Sequence, residues 1–270
     1  MSLDERGFLS DLSYWIREAR ARFGRQFALV EGISGLGQRT LAKLDETPDT
    51  RQYRMGGAFY LRGLQSLQGA ILMAERCMNV EARTLTRGSL ESLFYLGAIL
   101  KDAEFEKEIH KDSVKAMSVL ANAHKKLAIE AGAMDTDTES YFAEALSVQD
   151  QGVKGLKLIM KEVAGKAGLS AVYESDYRGL STDAAHPNIY SLSGHMDRDQ
   201  EHNWTGLRWG PIAQLDQSFA HTLILIAWTG ILLIDQMNSI IDDESIRADV
   251  KRFFDEYTGL QLQEANRSRF

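Results

Sequence analysis

Apolar residues return at helical spacing along almost the whole chain. Tyr60, Leu64, Leu67, Ile71, Ala74 and Met78 advance by four, three, four, three and four, which lines them along one face of an α-helix. The same spacing predicts helices near 8–30, 51–78, 80–101, 103–132, 138–166, 170–185, 213–241 and 243–257. Turn-forming runs fall between them: DETPDT around Pro48, GAMDTDTE near 132–139 and AGKAGLS near 164–170. Polar and apolar residues nowhere alternate for long enough to predict a sheet. With no fixed-period repeat and no low-complexity linker, the expectation is an all-α, single-domain bundle over 1–270 of about eight helices.

One stretch breaks the pattern. Residues 187–212, PNIYSLSGHMDRDQEHNWTGLRWGPI, carry no helical stripe and are bracketed by two of the three prolines, Pro187 and Pro211. A long irregular loop inside a compact domain is uncommon and often serves as a lid or binding loop. The alternative is a surface crossover anchored by Trp204 and Trp209. A second stretch, SFAHTLILIAWTGILLI at 218–234, is free of formal charge and apolar enough to raise a membrane helix. Its 17 residues fall short of the usual ~20, polar residues interrupt it, and Asp216 and Asp235 flank it. A helix buried on all sides is the expectation, with no membrane partner.

Composition narrows the classes. A hydrophobic share of 44% can build a sizeable core, and three prolines in 270 residues leave long helices uninterrupted. The net charge of −7 argues against a broad phosphate-tracking surface, though a local basic cleft remains compatible with nucleic acid. A single cysteine, Cys77, excludes an internal disulfide framework and a cysteine-based zinc cluster. The opening MSLDERGFLSDL has neither the basic nor the apolar region of a secretory signal, so a cytoplasmic location is expected.

FALVEGISGLGQRT, residues 27–40, resembles a phosphate loop only in the spacing of Gly32 and Gly37. The lysine position is Gln38 and the Ser/Thr position is Arg39, so its glycines are read as a turn between helices.

Chemistry concentrates elsewhere. In RTLTRGSLESLFYLGAIL, Arg83, Arg87, Glu91 and Tyr95 lie four apart on one face, and no residue from Ser92 to Leu100 is charged. Such a helix is expected to be largely buried, so Arg87 and Glu91 need partners, either as an internal ion pair or as the lining of a cleft. Around YRGLSTDAAHPN, residues 177–188, Tyr173 just before it forms a stripe with Tyr177, Leu180 and Ala184, with Arg178 and Ser181 on another flank. His186 precedes Pro187 and is therefore expected at a helix exit, as a cap or as a general acid–base group. HMDRDQEH places His195 and His202 among carboxylates, but the glycine and final glutamate positions of a calcium loop are His202 and Arg208, so no metal is expected. His221, alone in the most apolar segment, reads as a core histidine.

These two motifs resemble those of an uncharacterised bacterial helical family, the domain of unknown function DUF5677. The matching positions are Arg87, Glu91, Tyr177, Ser181 and His186. That family is in turn similar to the HEPN-like helical domains of higher eukaryotes and prokaryotes, many of which are ribonucleases of toxin–antitoxin and phage-defence systems with an Arg-x4–6-His motif. Seven residues separate Arg178 from His186 here, outside that spacing. The expectation from the residues is a polar pocket between the 80–101 and 170–186 helices, covered by the 187–212 loop, and the resemblance supports it. The resemblance further implies a protein that binds or acts on RNA or a nucleotide, in defence or stress. His186 would be the general acid or base, Arg87 or Arg178 would hold phosphate beside Glu91, and Tyr177, Ser181, Asn188, His195 and His202 would line the binding site. No cofactor is implied; a partner protein encoded nearby and a homo-oligomer are compatible. Two other readings stand: a non-catalytic interaction module built on an Arg–Glu–His network, and a metal-dependent enzyme resting on residues 195–202.

Overall fold

In the computed structural model the stripe from Tyr60 to Ala74 is the buried face of α3 (Arg51–Glu75). The residues described are 6–46, 49–150, 157–183, 189–192, 195–201, 203–207, 210–211 and 217–267. Thr50 begins α3 by accepting a hydrogen bond from the Tyr53 amide. The helix ends at Cys77, whose φ of 59° is left-handed; the Met78 and Cys77 amides donate to the Met73 and Ala74 carbonyls, closing a Schellman turn. Burial pushes the Cys77 thiol up to about 12, so it stays a protonated, inert core group. That tight turn folds α4 (Asn79–Lys101) back along α3, and the two pack along most of their length.

Around this hairpin lie α1 (Ser13–Arg22), α2 (Gly24–Ala42), α11 (Gln217–Ile241) and α12 (Glu244–Arg267). Helix α11 is the centre, packed by α2, α3, α4 and α12. Among the described residues, Ser218–Ile241 is long and apolar enough to cross a membrane, and 72% of its most apolar window is covered by the rest of the protein. His221 departs from the expected core position: it sits on the exposed side of that helix, where the apolar run meets solvent. Helix α5 (Phe105–Glu130) pairs with α6 (Thr136–Asp150), and the short α7 (Met160–Lys166) docks on α4. Next come α8 (Ser170–Val172), a π-helical segment (Tyr173–Tyr177) and α9 (Arg178–Asp183), then α10 (Ile189–Leu192).

The all-α expectation holds, with boundaries that differ for physical reasons. The helix predicted over 8–30 breaks at Phe23 (φ −120°), and its second half runs straight through the glycine-rich stretch to Ala42. Those glycines make close packing rather than a turn. A Cβ at Gly37 would lie 2.6 Å from Leu64 Cδ1, and one at Gly32 would lie 2.7 Å from Phe253 Cε1. The single helix predicted over 138–166 is two, α6 and α7, with 157–159 non-helical between them. Helix α12 runs ten residues past the predicted end at 257, carrying its stripe on to buried Leu260. The stretch 187–212 is not structureless: β1 (Met196–Arg198) and β2 (Trp204–Leu207) pair antiparallel, Met196 opposite Leu207, with an irregularity after Asp197.

Candidate functional site

The apolar half of α4 fixes the site, because Leu90, Leu93, Phe94 and Leu96 are fully buried and turn Arg87 and Glu91 toward one flank. Helix α9 and the π segment meet that flank. Within the π segment the Arg178 amide donates to the Tyr173 carbonyl five residues back, which widens the helix by one residue. Such widened turns recur at functional sites. Here it sets Tyr177 between Phe94, edge-on at 5.7 Å, and Tyr173, stacked at 5.2 Å.

Four of the expected residues then converge. Arg87 donates through Nε to Ser181 Oγ (3.0 Å) and through Nη2 to the Tyr177 hydroxyl (2.8 Å). Tyr177 donates onward to Glu91 Oε1 (2.8 Å), which also pairs with Arg87 Nη2 at 2.9 Å. The guanidinium carbon lies 5.1 Å from the Tyr177 ring centroid, within cation–π range. The Arg87 and Glu91 side chains are 26% and 27% exposed, so the group is neither sealed nor fully solvated. Burial, then the Glu91 carboxylate that accepts its proton, pushes the Tyr177 phenol above its ordinary value, so it remains a protonated donor. The arrangement orients one guanidinium and leaves Arg87 Nη1 without a hydrogen-bond partner among the described residues.

The remaining expected residues divide. Arg178 is not in this group: it pairs with Glu174 one turn back at 2.6 Å, on the exposed side of the helix. It sits next to Tyr177 in sequence, and that one step rotates it off the α4 flank. His186, Asn188 and His202 lie outside the described residues. His195 is exposed just before β1. In the same hairpin, Asp199 Oδ1 accepts the Glu201 and Asn203 amides at 2.9 Å each, which pulls its pKa down and commits the carboxylate to the turn. Among the described residues no group of three His, Cys, Asp or Glu side chains is arranged to hold a metal.

Sequence reasoning missed a cleft next to this network. It has a volume of ≈ 410 Å³ and is lined from α3 by Phe59 and Arg62, from α4 by Glu91 and Tyr95, and from α5 by Asp112. Phe59 and Tyr95 stack there with centroids 5.1 Å apart. Arg62 and Asp112 fall on ordinary amphipathic faces, so no local pattern marks them; of the lining, Glu91 and Tyr95, in the row that starts at Arg83, are the residues with a sequence signal. Asp176 likewise carries no sequence signal. Its carboxyl is half-buried beside Trp228 and His221, and desolvation raises its pKa.

The model of the Family of unknown function (DUF5677) matches residues 53–203, more than half of the chain, a span that contains Arg87, Glu91, Tyr177 and Ser181. No curated protein and no solved structure matches the chain.

Proposed function

We propose, from the premise that this chain belongs to the DUF5677 family of unknown function, that the Arg87 group is a phosphate-binding site through which the protein binds or acts on RNA or a nucleotide. The observation that carries this reading is the guanidinium itself. Glu91, Tyr177 and Ser181 hold Nε and Nη2 in place, and among the described residues Nη1 has no hydrogen-bond partner, so it is available to a ligand oxygen. A pre-oriented arginine loses little entropy on binding, and its planar fork suits phosphate oxygens. Arg178 is the weaker candidate for that role because Glu174 already neutralises it.

Whether the ligand is cleaved turns on a proton carrier. Tyr177 is held protonated, so in a HEPN-like defence ribonuclease of the cytoplasm His186 would serve as acid or base, with Arg87 stabilising charge on the phosphate in the transition state. The test uses fluorescence anisotropy with a labelled RNA oligonucleotide and with a labelled ATP analogue, followed by a gel assay for cleavage. Wild-type protein is expected to bind one of them. Arg87→Ala should weaken that binding by about 10- to 100-fold, the range for losing one or two hydrogen bonds to a charged group. His186→Ala should spare binding and remove any cleavage. Wild-type protein inert toward both probes would end the proposal.

A second reading, an interaction module with a structural network, is favoured by the burial of Tyr177 and by the bonds that Arg87 already makes inside the chain. It expects Arg87→Ala to lower stability by about 1–3 kcal/mol while binding neither probe at any stage.

A further inference from the structure

We propose that the cleft between α3, α4 and α5 binds a small organic cation, a primary amine carried on a flat apolar body. This goes beyond the phosphate reading and does not rest on it. The cleft's ≈ 410 Å³ falls within the range of small-ligand pockets. Two carboxylates from different helices, Glu91 and Asp112, enter it. Each has one oxygen occupied within the chain. Glu91 Oε1 accepts from Tyr177 and Arg87, and Asp112 Oδ1 accepts the Leu158 amide at 2.8 Å. Ionised carboxylates only accept hydrogen bonds, so their remaining oxygens call for a ligand that donates.

The one cation in the lining does not satisfy them. Arg62 is exposed and, among the described residues, makes no ion pair with either carboxylate. The apolar wall is specific as well. The stacked Phe59 and Tyr95 rings, 12° from parallel, offer a flat face to an aromatic body, and Ile109 and Met160 add to the apolar part of the lining; Ser92 and Ser113 also line the cleft. Aromatic faces also attract cations. The Tyr95 phenol reports the local potential independently: after burial, the Asp112 and Glu91 charges hold its proton on, and only Arg62 opposes them.

The probes are benzylamine, its anionic counterpart benzoate and the neutral benzyl alcohol, each titrated into the full chain and followed by saturation-transfer NMR. Benzylamine should bind at millimolar concentration or tighter, and the other two at least about tenfold more weakly, the scale of one charge-assisted hydrogen bond. Asp112→Asn keeps an acceptor for the Leu158 amide and should weaken benzylamine by about tenfold. Arg62→Gln removes the opposing charge from an exposed site and should tighten it, an effect of a sign that loss of structure cannot produce. Thermal midpoints verify that both variants fold, and the Arg62 variant carries the test should Asp112→Asn fail to fold. Benzoate binding as well as benzylamine, no transfer to benzylamine, or Arg62→Gln leaving its affinity unchanged would each overturn the proposal.

Discussion

Asp176 shows what a single residue reports in this protein. Its half-buried carboxyl is held above the ordinary value of 3.8, chiefly by desolvation, while the Ser175 and Trp228 donors pull the other way. The folded state therefore keeps its proton to higher pH than the unfolded chain does. Between the unfolded and folded values the native state binds more protons, so this group's contribution to stability falls as pH rises through that window. Asp176→Asn removes the ionisation but keeps an acceptor for both donors. The variant should be more stable than wild type at pH 7, and the gain should disappear below the unfolded value. Urea midpoints measured at pH 7 and pH 3 would show this, and an equal gain at both would refute it. Arg87 and Glu91 stood out because a charged pair on an apolar helix must find partners, and Tyr177 and Ser181 are those partners. Arg62 and Asp112 gave no such signal, since each lies on a helix face where a charge is ordinary.

At the scale of elements, period alone found the helices but not how closely they approach. Gly32 and Gly37, read as punctuation, suggested a turn, and Gly35 lies between them in the same run. In the folded chain all three are helical within α2, and they differ only in what faces them. Gly35 faces open space, whereas a Cβ at Gly37 would drive into Leu64 across the α2–α3 contact. The substitutions should therefore split in sign. Gly35→Ala should stabilise by up to about 1 kcal/mol through helix propensity. Gly37→Ala should destabilise by about 1–3 kcal/mol through overpacking, less what propensity returns. Denaturant midpoints for the two would decide, and stabilisation by both would mean that α2 does not press on α3 as described. The π segment was invisible for a related reason. A hydrogen bond to the fifth residue back leaves no trace in apolar spacing, yet it turns Tyr177 toward α4 while Arg178 stays outside.

For the whole molecule the decisive quantity is charge. At −7 the chain repels a polyanion at long range, and several of its arginines and lysines are engaged in local pairs such as Arg39–Asp249, Lys166–Glu108 and Arg178–Glu174. A nucleic-acid reading therefore has to be local: one oriented guanidinium, Arg87, with Arg83 one turn before it on α4. Salt dependence measures how many phosphates a protein neutralises, because each releases condensed counterions, and the slope for single strands is about −0.7 per phosphate. One or two phosphates predict a slope of log K against log salt between about −0.7 and −1.4. Arg87→Ala should flatten that slope by about 0.7 as well as weakening binding. Anisotropy titrations of a short single strand across a range of salt concentrations supply both numbers. A slope steeper than about −3 would require four or more phosphate contacts. That would point to a basic track away from the Arg87 group, and the phosphate site proposed for α4 would then be the wrong place on the right molecule.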